Sequence, residues 1–240
     1  MKVNGVAQRR PRKVFVVDDH DGIRLSFEII LAGQDDLEYC GGVKEYFDAL
    51  PEIKRRRPDL VLVDLKLDGR GGIELTKEIL RLFPGTAVLI YSGYDEERYG
   101  VRAYRAGAHG FLEKGAGLEE TRAVIRTVLQ GRLYFKEQTL RSVKESIRRC
   151  HLENEPGRVE RDVDLLSDRE FEIFGLLGRG LPPKEIATRM KLSPATIRTH
   201  RKRIKKKLGY RRTTQLVQFA ARWVEGEEPV LEEPASMTTP

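Results

Sequence analysis

The sequence predicts two domains in series: a doubly wound α/β domain on a five-stranded parallel sheet, then an all-α domain of four helices. Three observations carry this expectation. At about 100 to 200 residues per domain, the 240 residues suit one large domain or two small ones. Residues 14–130 alternate short apolar runs with amphipathic segments, whereas residues 166–224 carry helical signals only. The formal charge of +7 is also unevenly split: residues 14–130 hold 16 basic and 21 acidic side chains, and residues 166–223 hold 15 basic and 4 acidic ones.

In chain order, the strands are expected at Val14–Asp18, Leu37–Cys40, Leu60–Asp64, Ala87–Tyr91 and Gly110–Glu113. The first, third and fourth are almost wholly apolar, as central strands covered on both faces must be. Between them, the run from Gly72 to Leu80 puts Ile73, Leu75, Ile79 and Leu80 near one helical face, and Pro84-Gly85 stops it. A basic arm, residues 1–12, precedes this domain and is expected to be disordered. After it, residues 131–165 read as a linker, helical through Arg149 and flexible at Glu153–Gly157. In the second domain, Ser167 to Glu170 has the S-x-x-E form of a capping box, followed by Phe171, Ile173, Phe174, Leu176 and Leu177, with Gly178 as the stop. Pro183 opens a second helix with Ile186, Ala187 and Met190 inward, and a turn at Lys191-Leu192 leads to Ser193 as cap and Pro194 at the first position of a third. On that third helix Ile197, Ile204 and Leu208 form one stripe, while Arg198, Thr199, Lys202, Arg203 and Lys206 fall away from it. A last helix, Thr214–Trp223, spaces Leu216, Ala220 and Trp223 at i, i+4, i+7, and an acidic tail, residues 225–240, lacks periodicity and is expected to be disordered.

Several function classes are excluded. With 34% charged residues there is no apolar run of the length, about 18 residues, that a membrane helix needs. The basic N-terminus lacks the apolar stretch of a secretory signal. Cys40 and Cys150 are too few for a disulfide scaffold and too isolated for a zinc site, so a reducing cytoplasm is the expected home.

Chemistry concentrates in two places. In an open α/β sheet, ligands bind outside the carboxyl ends of the strands, and there four strands deliver Asp18-Asp19, Asp64, Ser92 and Lys114 to one edge. Any one aspartate at a strand end is an ordinary helix cap, but three carboxylates together repel unless a divalent cation sits among them, and hard oxygen donors suit Mg²⁺. In the second domain no acidic residue occurs from Ile186 to Val224, whereas a solvated helix usually mixes signs for i,i+4 pairing. A helix–turn–helix whose second helix has a basic outer face fits the major groove of DNA.

The strings VFVVDDH, DLVLVDLKLDGRGG, VLIYSG and GFLEKG resemble the receiver domain of two-component response regulators, a flavodoxin-like fold, over residues 13–130. The stretch LSDREFEIFGLLGRGLPPKEIATRMKLSPATIRTHRKRIKKKLGY resembles the LuxR-type helix–turn–helix, and together they resemble the NarL/FixJ class. This resemblance implies that Asp64 accepts a phosphoryl group, that Asp19, Asp64 and the backbone carbonyl of Lys66 hold Mg²⁺ with Asp18 acting through water, and that Ser92 and Lys114 contact phosphoryl oxygens. Phe111 matches the aromatic switch position, an assignment that ordinary strand packing would explain equally well. Arg198, Thr199 and Lys202 would reach into the groove, with Arg201, Lys205 and Lys206 on phosphates. The implied partners are a sensor histidine kinase and double-stranded DNA, bound as a homodimer after phosphorylation, with Val217 and Trp223 of the last helix at the dimer contact. No enzyme activity is implied beyond the chain's own phosphoryl transfer and autodephosphorylation. Three positions depart from the family pattern: Asp68 and Gly115 stand where prolines are common, and Pro182-Pro183 is unusual before the second helix. Two other readings, a metal-dependent phosphohydrolase using Asp64 and an adaptor binding acidic protein, are separated from this one by salt-dependent binding to duplex DNA.

Overall fold

The computed structural model describes residues 10–67, 71–152 and 163–225. The chain divides into two compact units, residues 1–156 and 157–240. In the first, β1 (Arg12–Val17), β2 (Leu37–Val43), β3 (Leu60–Val63), β4 (Ala87–Ser92) and β5 (Gly110–Glu113) form one parallel sheet in the order β2-β1-β3-β4-β5. Strand alternation sends Phe15, Val17, Val61, Val63, Val88, Ile90 and Phe111 to one face, where α2 (Tyr46–Arg56), α3 (Gly72–Leu82) and α4 (Glu96–Arg105) supply Ile53, Ile79 and Ala103. Val14, Val16, Leu60, Leu62, Leu89 and Leu112 face the other way, against Phe27 and Leu31 of α1 (Asp21–Leu31) and Val124, Ile125 and Val128 of α5 (Leu118–Leu129). Both faces of the central strands are thus dry, which is why their sequences are continuously apolar.

Three expectations need correction. Arg12, placed in the arm, belongs to β1, because Asp59 receives Arg12 Nη1 at 2.7 Å and the Lys13 amide at 2.9 Å and so ties the strand's start to the loop before β3. The second strand continues past Cys40 to Val43 through a bulge at Cys40, since Val14 pairs with Tyr39 and Phe15 with Gly41 on this edge strand. The linker expected from residue 131 begins as part of the first unit: Tyr134 bridges to Gly110 at the β5 edge, and α6 (Glu137–Leu152) packs on α4, with Val143 only 4% exposed. A polar helix looks like a linker until its partner, some forty residues earlier, is known. In the second unit, the first helix ends at Gly178, as its sequence indicates. That helix, α7 (Asp168–Gly178), is capped by Arg179, and the chain turns at Gly180 with φ +77°. Gly178 is small because a Cβ there would run into the carbonyl oxygen of Ala220. The joint expected at Glu153–Gly157, Asp68, the tail 226–240 and residues 1–9 of the arm lie outside the described residues.

The second unit consists of α7, α8 (Pro183–Arg189), α9 (Pro194–Lys207) and α10 (Thr213–Glu225), preceded by a 3-10 turn, Val163–Leu165. Ser167 and Glu170 form the capping box, and Ser193 caps α9 through the Thr196 amide. Pro183 takes the first position of α8, where its missing N–H costs nothing, so the double proline serves as a helix start. Ile197, Ile204 and Leu208 are fully buried with Phe174, Ile186 and Leu216. The Trp223 ring lies edge-on to Phe171 and Phe174, at 5.2 and 5.5 Å between centroids. Part of the ring expected at a dimer contact is therefore spent on this unit's own core.

Candidate phosphoacceptor site and nucleic-acid interface

Parallel pairing of β1, β3 and β4 aligns their carboxyl ends, so the residues that follow converge at one edge. The Asp64 amide donates to the Val17 carbonyl at 2.9 Å and the Lys114 amide to the Ser92 carbonyl at 2.7 Å, which carries the ladder one step past the strands and fixes where these side chains start. Asp18, Asp64 and Ser92 are 1%, 3% and 0% exposed. Lys114 Nζ lies 2.7 Å from Asp18 Oδ2 and 2.8 Å from Asp64 Oδ2, so one cation holds two buried carboxylates. Burial raises the Asp64 carboxyl above the ordinary range, with Asp18 adding to the effect against the opposing pull of Lys114 and the Lys66 amide. For Lys114, burial would lower the ammonium, but its two ion pairs outweigh that and hold it above the usual lysine range. Gly72, at the start of α3, is pressed against the Asp64 backbone, where a Cβ would run into the carbonyl oxygen. A side chain at residue 72 would therefore displace Asp64 itself.

The residues present fit a divalent cation. Ligand atoms of Asp18, Asp19, His20 and Asp64 lie within 4.8 Å of one another. Asp18 Oδ2 and Asp19 Oδ1 are buried oxygens without an aligned hydrogen bond, although the first sits beside the Lys114 ammonium and the second 2.6 Å from His20 Nδ1. Hard oxygen donors with lone pairs to spare are what Mg²⁺ takes up. His20 was not singled out from the sequence. Its amide donates to Asp18 Oδ1 at 2.9 Å, a local turn whose sequence signal, a polar residue directly after an acidic pair, is weak. Lys66 stands two residues past Asp64 with its side chain exposed, and its amide points to the Asp64 carboxylate.

Phe111 is 1% exposed, buried on the face beneath α4. It also borders a cavity of about 580 Å³ that Ser92, Tyr94, Glu113, Lys114 and Lys136 line. The peptide after Lys114 is trans.

On α9 the buried stripe turns the opposite face to solvent: Arg198, Thr199, Lys202, Arg203 and Lys206 are exposed. Arg201 and Lys205 are half-buried at its margins, and Lys205 Nζ donates to the Arg211 carbonyl at 3.0 Å, tying the helix to the turn before α10. Lys207, also exposed, reaches the buried Glu170 at 2.6 Å and braces α9 against α7.

An acidic site at one sheet edge and a cationic helix in a separate helical unit define a regulator that joins an acceptor domain to a DNA reader. Residues 14–126 match the response regulator receiver domain, and residues 164–220 match the bacterial regulatory proteins of the luxR family. The chain belongs to the two-component response regulators that control transcription through a LuxR-type DNA-binding domain. It is 34% identical over 210 residues to the response regulator GacA of Pseudomonas syringae pv. syringae strain B728a, covering 88% of this chain and 95% of that protein. It is 32% identical over 214 residues to the oxygen regulatory protein NreC of Staphylococcus carnosus strain TM300, covering 87% and 96%. The fold is also similar to that of RcsB from Salmonella enterica serovar Typhimurium, solved bound to the promoter rprA with the phosphomimetic BeF₃⁻, at a TM-score of 0.59 and 19% identity over 88% of this chain and 98% of that one.

Proposed function

We propose that Asp64 accepts a phosphoryl group from a sensor histidine kinase and that this modification governs DNA binding by α9. The observation that carries the reading is the buried Asp64 carboxylate at the end of β3, 2.8 Å from the Lys114 ammonium. A carboxylate oxygen of Asp64 attacks phosphorus, the bond from phosphorus to the donor's nitrogen or oxygen breaks, and an acyl phosphate forms on Asp64. Lys114 offsets the negative charge that accumulates, and Ser92 donates its hydroxyl to a phosphoryl oxygen. Asp19, Asp64 and the Lys66 carbonyl would hold Mg²⁺, with Asp18 acting through water, and the ion supplies charge neutralisation for the incoming phosphoryl oxygens. Phe111, buried on the α4 face and bordering the cavity that Ser92 and Lys114 line, is read as the residue that senses the rearrangement.

Arg198, Thr199 and Lys202 read base edges in the major groove, while Arg201, Lys205 and Lys206 hold backbone phosphates. A helix–turn–helix of this kind reads paired half-sites about one helical turn apart, which suits a homodimer on DNA. Any hydrolysis of the acyl phosphate resets this chain's own switch, without turnover of a separate substrate. A reducing cytoplasm agrees with a free, buried Cys40. Labelling with acetyl phosphate and Mg²⁺ tests the acceptor: Asp64→Asn is expected to abolish it, since an amide is a poor nucleophile, and undiminished labelling of that variant refutes the assignment.

A further inference from the structure

Buried between α4 and α6 is a carboxylate that the phosphoryl chemistry does not use. Glu96, in the first turn of α4, is 2% exposed. Its Oε1 accepts the Lys136 amide at 2.6 Å and the Thr139 hydroxyl at 2.8 Å, so one oxygen holds the start of α6. The Glu96 amide donates to Glu113 Oε1 at 3.2 Å, and Lys136 Nζ donates to that same oxygen at 2.7 Å. The approach is close: a Cβ on Gly100 would lie 2.8 Å from both branches of the Thr139 side chain. Just before α6 the chain is strapped to the sheet edge, where the Phe111 amide donates to the Tyr134 carbonyl at 2.8 Å and the Tyr134 amide to the His109 carbonyl at 2.9 Å. Phe135 then packs edge-on to Tyr104 of α4, 5.6 Å between centroids.

The placement of the two carboxylates gives this network its meaning. Glu113 directly precedes Lys114, and Glu96 closes the short loop that begins at Ser92. Within that loop the Tyr94 amide donates to Ser92 Oγ at 3.2 Å. Both residues read as phosphoryl contacts are therefore one short covalent step from the groups that hold the linker helix.

We propose that Glu96 and Thr139 form a latch that seats α6 on α4 while Asp64 is unmodified, and that phosphorylation loosens it. The latch rests on the reading of Asp64 as phosphoacceptor and adds the route by which its signal reaches the linker. A phosphoryl group on Asp64 recruits the Ser92 hydroxyl and turns Lys114 away from its paired carboxylates. Ser92 then ceases to close the loop for Tyr94, the first turn of α4 moves with the loop, and the Glu96 oxygen leaves the position that Lys136 and Thr139 both need. A hydrogen bond depends steeply on geometry, so a small displacement releases two bonds together. Glu96 is in this sense a positioning residue, acting through the linker and never on the phosphoryl group.

Hydrogen exchange read by mass spectrometry on the full chain, with and without acetyl phosphate and Mg²⁺, tests the latch. Phosphorylated wild type is expected to exchange the α6 amides of residues 137–148 faster, on the order of fivefold for each hydrogen bond lost, and Asp64→Asn is expected not to respond. Thr139→Val is expected to show part of that faster exchange without donor and a smaller further response, while Thr139→Ser, which keeps the hydroxyl, behaves as wild type. Gly100→Ala reaches the same state by wedging a methyl group against Thr139 with hydroxyl and carboxylate intact; it decides the matter if Thr139→Val also loosens β3. A wild-type chain that carries the phosphoryl mass yet shows unchanged α6 exchange overturns the latch alone. So does a full donor response in both Thr139→Val and Gly100→Ala. A wild-type chain that takes up no phosphoryl mass overturns the acceptor reading, and the latch with it.

Discussion

Replacing Lys114 with methionine isolates the electrostatics of the acceptor site. Methionine fills a similar volume but leaves Asp18 and Asp64, 1% and 3% exposed, facing each other without the cation now 2.7 and 2.8 Å away. Removing one partner of a buried ion pair costs about 3–5 kcal/mol. Because the Lys114 side chain retains 14% exposure, water can enter the gap, and the low end of that range, about 3 kcal/mol, is expected. The only tryptophan, Trp223, reports on the second unit, so the measurement is amide exchange of β3 and β4 with increasing urea. Two controls give the cause. Asp18→Asn added to Lys114→Met removes one of the repelling charges and is expected to recover a large share of the loss, a non-additivity of the size that contacting residues show. Mg²⁺ is expected to restore about 1.4 kcal/mol at tenfold its Kd, because it binds the folded site alone. A loss below about 1 kcal/mol, with additive double-variant behaviour and no response to Mg²⁺, refutes the picture of a coupled buried cluster.

Further outcomes are expected elsewhere in the chain. DNA affinity should fall linearly in log–log form with salt, with a slope of about −0.9 per phosphate contacted. Lys206→Ala should weaken specific and random duplexes alike, while Arg198→Ala and Lys202→Ala should each remove about 1–3 kcal/mol of discrimination; equal losses on both duplexes for all three refute that division. Gly178→Ala should cost about 1–3 kcal/mol by overpacking against α10, read as an earlier urea transition in Trp223 fluorescence, and an unshifted midpoint refutes the close approach. Burial, with Glu113 adding, raises the Glu96 carboxyl above its ordinary range despite the bonds from Thr139 and Lys136. Its contribution to stability is thus complete below the unfolded value and is lost as pH rises through the folded value. Glu96→Gln keeps an acceptor oxygen, so the first unit of this variant should gain on wild type as pH rises from about 4 to 7; a constant difference across that range in urea midpoints contradicts the shift.

Much of this molecule is legible along the chain because the relevant signals are local. Period-two alternation and continuous apolar runs depend only on neighbouring residues and on burial, so Val14, Leu60 and Ala87 are placed in β1, β3 and β4 before any contact is known. Strand ends and parallel order then bring Asp18, Asp64, Ser92 and Lys114 to one edge, and the caps Ser167 and Ser193 are short-range hydrogen bonds with sequence signatures of their own. What the chain order conceals is every residue whose role is defined by a distant neighbour. Gly72 and Gly178 look like helix punctuation until the Asp64 and Ala220 carbonyls are seen pressed against them. Trp223 looks like a surface anchor until Phe171 and Phe174 close on it. Residues 134–143 read as a linker because their polar helix carries no mark of Glu96, which lies about forty residues earlier and accepts their bonds. Local patterning selects elements and caps; burial of a polar group against one particular partner depends on packing, which sequence separation hides.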